Sequence, residues 1–196
     1  MWSLDEPLVS SVIISLRARM ADAAFVRLGV TDTIQQFTGK LLRTRLAQTL
    51  AGEGWRRRLP NLVQSCTALE LIHTASLFHD DVVDGASLRR GKPALWRMFT
   101  PSSAVLVGDL LFCEALSVLI ETGNNRLYRQ FNEKVKEVCE VEALQELLLR
   151  GKRCDVETCI KVARGKTGPL FAFAATACAG DDTELEQALE EAGYRI

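Results

Sequence analysis

Apolar residues recur at three- and four-residue steps along nearly the whole of this chain, and only five prolines interrupt them. That is the helical period; half-buried strands would alternate every second residue between turn signals, and no such pattern is present. The spacing predicts helices over 4–20, 31–52, 61–84, 103–122, 125–151, 155–179 and 183–196, and therefore an all-α bundle. The 196 residues read as one domain, or part of one, without repeat, low-complexity segment or linker. Asn61 and Asp155 are placed to cap the third and sixth helices. Gly85 to Ser103 is the one long irregular connection, and loops of that length inside a domain tend to carry function.

Composition excludes several classes. A hydrophobic share of 47% with 25% charged residues is that of an ordinary globular domain, not of a disordered chain. The formal net charge of -1 supplies no field that would draw nucleic acid, and Arg56-Arg57-Arg58, between Gly54 and Pro60, reads as a solvated loop. No transmembrane segment is expected: the longest charge-free stretch, Gly168 to Gly180, falls short of the roughly 20 apolar residues a spanning helix needs. The N-terminal residues are acidic where a secretory leader is basic. Six cysteines show no CxxC or zinc spacing, and most have apolar sequence neighbours. They read as reduced core thiols, and the expected location is cytoplasmic.

The sharpest signal lies in the third helix, Leu69 to Asp84. At about 100° per residue, His73, Asp80 and Asp84 fall within roughly 40° on one face, while Asp81 points about a quarter turn away. Asp80 and Asp84 repel at a four-residue spacing, so a cation is expected between them. Oxygen ligands without a cysteine or histidine set suit Mg²⁺, which keeps waters and shares carboxylates with substrate phosphates. Glu70 to His73 is an ExxH motif of the kind used in di-iron bundles. That site needs a second such motif; Ser76 stands where His79 would require a glutamate, so a di-iron centre is not expected. Arg89-Arg90 follows the aspartates directly, and guanidinium groups grip phosphate oxygens in pairs.

The run Leu69 to Asp84 followed by Arg89-Arg90-Gly91-Lys92-Pro93 resembles the first aspartate-rich region of the trans-isoprenyl diphosphate synthases, or polyprenyl synthetases. Gly39-Lys40-Leu41-Leu42-Arg43 resembles that family's GGKRxRP segment, with Thr38, Leu41 and Thr44 departing from it. Ala104 to Asp109 resembles the helix bearing its Gly-Asp pair. Glu142 and Gln145 match its GExxQ segment with Val141 in place of glycine, and Lys166-Thr167 matches its KT pair. The resemblance implies an antiparallel helical bundle of the isoprenoid synthase type and a prenyltransferase joining an allylic diphosphate to isopentenyl diphosphate. It implies that Asp80 and Asp84 hold Mg²⁺ on the allylic diphosphate, with Arg89 and Lys166 neutralising the remaining charge. Lys40, Arg43, His73 and Arg90 would hold isopentenyl diphosphate, and Thr167 and Gln145 would line the reacting end beside Lys166.

The family's second aspartate-rich motif has no counterpart in these residues. Asp181-Asp182 reads as a loop with a helix cap, and Glu190 and Glu191 as surface acids. The expectation is therefore a C-terminally truncated bundle that binds allylic diphosphate but turns it over poorly or not at all. The alternative is a non-catalytic or regulatory subunit that keeps the half-site. The segment 103–122 is apolar on more than one face, which predicts a homodimer or heterodimer. The resemblance implies that Ala75 and Ser76, near one turn below Asp80, set the floor where bulky aromatics stop short products; both are small here, which implies a medium or long prenyl tail.

Overall fold

Helix α6 (Leu62–Val83) is the element around which the others assemble, and every residue from Ser65 to Ile72 within it is buried. A helix without a polar face must be surrounded; α1 (Pro7–Met20), α4 (Leu42–Ala51), α7 (Leu95–Met98), α8 (Pro101–Ile120) and α10 (Val156–Thr176) all pack against it. Its most extensive partner is α8, while α10 is covered by α9 (Asn125–Leu144) and α11 (Thr183–Tyr194). Short helices α2 (Ala23–Arg27), α3 (Thr31–Gln35) and α5 (Trp55–Arg58) complete the all-α bundle. The computed structural model describes residues 6–36, 39–180 and 182–195.

Several local expectations are corrected. The predicted helix 31–52 is two helices: α3 ends at Gln35, and Leu41 takes a left-handed backbone (φ 53) immediately before α4; apolar spacing carries no signal for such a break, and Phe37 and Thr38 lie outside the described residues. The first helix begins at Pro7 with Glu6 before it, and residues 4 and 5 of the predicted span lie outside the described residues. Asn61 makes no side-chain cap. Asp155 does cap α10, accepting from the Thr158 N–H at 2.7 Å, and Asp182 caps α11; Asp181 and Ile196 lie outside the described residues. The predicted helix 125–151 ends as a π turn over Gln145–Leu149. Arg56 and Arg57 are exposed but helical, with the Arg56 guanidinium 4.7 Å above the Trp55 ring.

The connection after Gly85 is ordered by a two-stranded hairpin, β1 (Leu88–Arg89) with β2 (Lys92–Pro93), and then α7. Arg90 and Gly91 both have positive φ, which is the two-residue turn that matches strand twist. The hairpin is too short for alternation to be seen in sequence. It is tied down by Trp96, whose indole N–H donates to the Ala86 carbonyl at 2.7 Å.

Three further expectations are revised. Helix α8 is, by length and composition, long and apolar enough to cross a membrane, with a mean hydropathy of 2.0; Asp109 and Glu114 disguised that run. Its inward face, including Val107, Leu111 and Leu119, belongs to the core, whereas Val105, Leu106 and Ile120 face outward. A core helix meets the same length and composition test. Of the cysteines only Cys66 and Cys178 are buried, and Cys113, Cys139, Cys154 and Cys159 are exposed, since sequence neighbours on a helix are not spatial ones. Glu190 is also no free surface acid: it takes an ion pair from Lys134 at 2.5 Å.

Candidate functional site

The C-terminal turn of α6 delivers three aspartates with three different environments. Asp81 is buried and accepts from the Arg89 guanidinium, with Nε at 2.9 Å. Its other oxygen, Oδ2, is buried without a hydrogen-bond partner among the described residues. Arg89 therefore answers first to Asp81, which pins the hairpin to α6, although it remains near enough to Asp80 and Asp84 to feel their charge. The quarter-turn offset of Asp81 was visible in sequence; its burial was not.

Asp80 is half-buried and Asp84 exposed at the helix end. Burial, then Glu142 and Asp84, push the Asp80 carboxyl up to about 6 against the opposing pull of Lys166 and Arg89. Glu142 of α9 meets Lys166 of α10 at 2.6 Å, so these two helices form the wall facing the aspartates. Glu142 was seen in sequence only as part of a motif. Its proximity makes it a third carboxylate of the site. Among the described residues no three His, Cys, Asp or Glu side chains gather closely enough to hold an ion by themselves. An all-oxygen pair in which burial, Glu142 and Asp84 raise the Asp80 carboxyl suits a hard divalent cation that completes its shell with water and phosphate.

Beside this wall opens a cleft of about 560 Å³ lined by Lys40, Leu41, Arg43, Glu70, His73 and Arg90, with Gly39 at its edge. Burial, and then Arg43, Arg90 and Arg89, push the His73 imidazole down to about 3, so it is neutral near pH 7. Gly39 lets the Arg90 guanidinium lie against the backbone, since a Cβ there would come within 2.5 Å of it and the arginine would have to move. Buried Glu70 accepts from the Thr44 hydroxyl at 2.8 Å and the Thr44 N–H at 3.3 Å, and burial raises its pKa. A proline at position 44, as in the GGKRxRP pattern, would lack both donors; the departure is thus matched to Glu70. The structure brings together Lys40, Arg43, His73 and Arg90 here, and Asp80, Asp84, Arg89 and Lys166 next door.

Thr167 and Gln145 stand apart from the cleft lining. Thr167 is exposed on a separate open groove with Arg164 and Tyr194, and Gln145 opens the π turn. Below Asp80 lies a mainly apolar cavity of about 310 Å³, walled by Ile72, Ala75, Ser76, Phe112, Val138 and Leu170. At its side the His79 ring reaches the Val105 carbonyl at 3.1 Å and Asp109 at 3.3 Å. Gly108 lets that ring in, since any Cβ there would collide with it.

Comparisons with known proteins agree with this geometry. The polyprenyl synthetase family profile matches residues 28–196. An all-trans-nonaprenyl-diphosphate synthase (geranyl-diphosphate specific) of Rhodobacter capsulatus is 31% identical over 147 residues, covering 75% of this chain and 45% of that protein. The octaprenyl diphosphate synthase of Escherichia coli is 34% identical over 128 residues, covering 64% and 40%. Among solved structures, a polyprenyl synthase from Caulobacter crescentus, complexed with calcium and isoprenyl diphosphate, superposes with a TM-score of 0.84 at 30% identity, over 96% of this chain and 58% of that one. The chain spans about half the length of the curated relatives it matches. A profile match over most of the sequence and a shared backbone place the chain in the polyprenyl synthetase family.

Proposed function

We propose that the chain serves in a prenyltransferase that condenses an allylic diphosphate with isopentenyl diphosphate to give a polyprenyl diphosphate. One observation carries the reading: a carboxylate pair and a separate cluster of cations open side by side, with an apolar cavity beneath the carboxylates. Two polyanionic substrates held next to each other need two cradles, and a prenyl tail needs a third, dry compartment. Asp80 and Asp84 would hold Mg²⁺ at the allylic diphosphate, where the ion supplies stabilisation of the departing group. Lys166 and Arg89 add positive charge at the same end, and preorganised cations of this kind work best where charge develops. Lys40, Arg43, Arg90 and neutral His73 receive isopentenyl diphosphate. Thr167 and Gln145 are the least supported of the proposed residues, since neither lines the cleft.

The outward apolar face of α8, with Val105, Leu106 and Ile120, supports a dimer. One relative, from Geobacillus stearothermophilus, is named component 2 of a heptaprenyl diphosphate synthase and is 40% identical over 90 residues, 45% of this chain and 28% of that protein; a partner of different sequence is thus an alternative to a second copy. The test is incubation with an allylic diphosphate, Mg²⁺ and labelled isopentenyl diphosphate. Label in prenyl diphosphates longer than the primer supports the transferase. Binding of both substrates without extension favours a subunit that holds the half-site for a partner.

A further inference from the structure

Arg43 is mounted in an unusual way for a surface-cleft cation. Among the described residues its buried Nε has no hydrogen-bond partner, and its guanidinium lies over the Phe171 ring of α10, with Cζ 4.9 Å from the centroid. Burial opposes its charge, and the pull of Glu70 only partly compensates; Glu70 Oε1 itself accepts from Thr44. Arg43 and Thr44 are successive residues in the first turn of α4, which packs directly on α10. The backbone beside Arg43 is therefore held by the Thr44–Glu70 contact, and the far end of its side chain by an aromatic face.

We infer that Phe171 is a positioning residue for Arg43, its ring seating the guanidinium that receives the isopentenyl diphosphate. The inference rests on the isopentenyl half of the functional reading. A guanidinium within about 6 Å of a ring face is attracted by the ring quadrupole, more strongly when desolvated. That attraction leaves the N–H groups at the guanidinium edge free for phosphate oxygens. Phe171 lies on the same helix as Lys166, so α10 sets one cation of the allylic end and seats one of the isopentenyl end. A shift of α10 would move both.

If Phe171 were only an apolar filler, leucine would replace it and the ring would be dispensable. Isopentenyl diphosphate binding to the 196-residue chain is measured by calorimetry for the wild type, F171L and F171W. F171L is expected to bind about 3- to 30-fold more weakly, the range of an exposed to a desolvated cation–π contact, and F171W to regain most of the loss. Binding of an allylic thiodiphosphate with Mg²⁺ is expected to change less than about twofold in either variant, as for independent sites. A ligand-free signature accompanies this: the Arg43 Nε–H proton is shifted upfield by the ring, returns in F171L and is shifted again in F171W. Equal isopentenyl diphosphate binding by wild type and F171L, or a loss in F171W as large as in F171L, overturns the inference while leaving the functional reading intact. A wild-type chain that binds neither substrate overturns both.

Discussion

His73 stays neutral because three guanidinium groups, those of Arg43, Arg90 and Arg89, add to burial in opposing its protonation; Glu70 is the acid on the same cleft wall. The unfolded imidazole titrates near 6.5 and the folded one near 3, so between those values the unfolded chain binds more protons. Stability from this group is complete above pH 6.5 and is lost as pH falls toward 3. Urea unfolding across that window is expected to show a shallower acid loss for H73Q than for the wild type, and parallel curves would contradict the assignment. Arg89 poses the opposite case, a residue whose motif suggests a ligand role but whose contacts are structural. Removing it leaves the buried Asp81 carboxyl without its guanidinium partner, so R89A is expected to lose about 3 kcal/mol of stability, the lower end for breaking a buried pair because Arg89 is itself partly solvated. Unchanged unfolding of R89A would return Arg89 to a purely ligand-facing role.

At the scale of the elements, α6 explains why so much was legible from sequence. Its apolar residues surround the helix, its aspartates crowd the C-terminal turn, and both patterns are local. The long helices and the Asp80/Asp84 pair follow from such signals. What escaped was settled by three-dimensional neighbours: the left-handed Leu41 that divides α3 from α4, the Arg90-Gly91 turn, the burial of Asp81, and Glu142 joining the aspartates from α9. The Thr44–Glu70 pairing belongs to the same class, since two residues 26 apart in sequence carry no periodic signature of their contact. The apolar cavity below Asp80 follows from α6 as well, because Ala75 and Ser76 leave open the space between it, α8 and α9. An apolar tail gains about 0.8 kcal/mol for each buried CH₂ group, so an open cavity favours elongation. In an active enzyme containing this chain, A75F is expected to shorten the product; an unchanged length distribution would show that the cavity does not receive the tail.

For the whole molecule, the outward side of α8 and the carboxylate wall make separate demands. Leu106 and Ile120 are each 63% exposed on a helix whose other face is core, and large apolar side chains left in water favour covering by another molecule. Sedimentation at micromolar concentration is expected to show a dimer, and L106E to shift it toward monomer; a wild-type monomer would contradict that assembly. At the carboxylate wall, Asp80 and Asp84 are predicted to hold an allylic diphosphate through a divalent ion. Calorimetric titration of the 196-residue chain with an allylic thiodiphosphate measures it directly. Binding is predicted with Mg²⁺ present, absent in chelator and absent in D80A at any Mg²⁺ concentration. Binding of equal strength in chelator, or in D80A, would contradict the account.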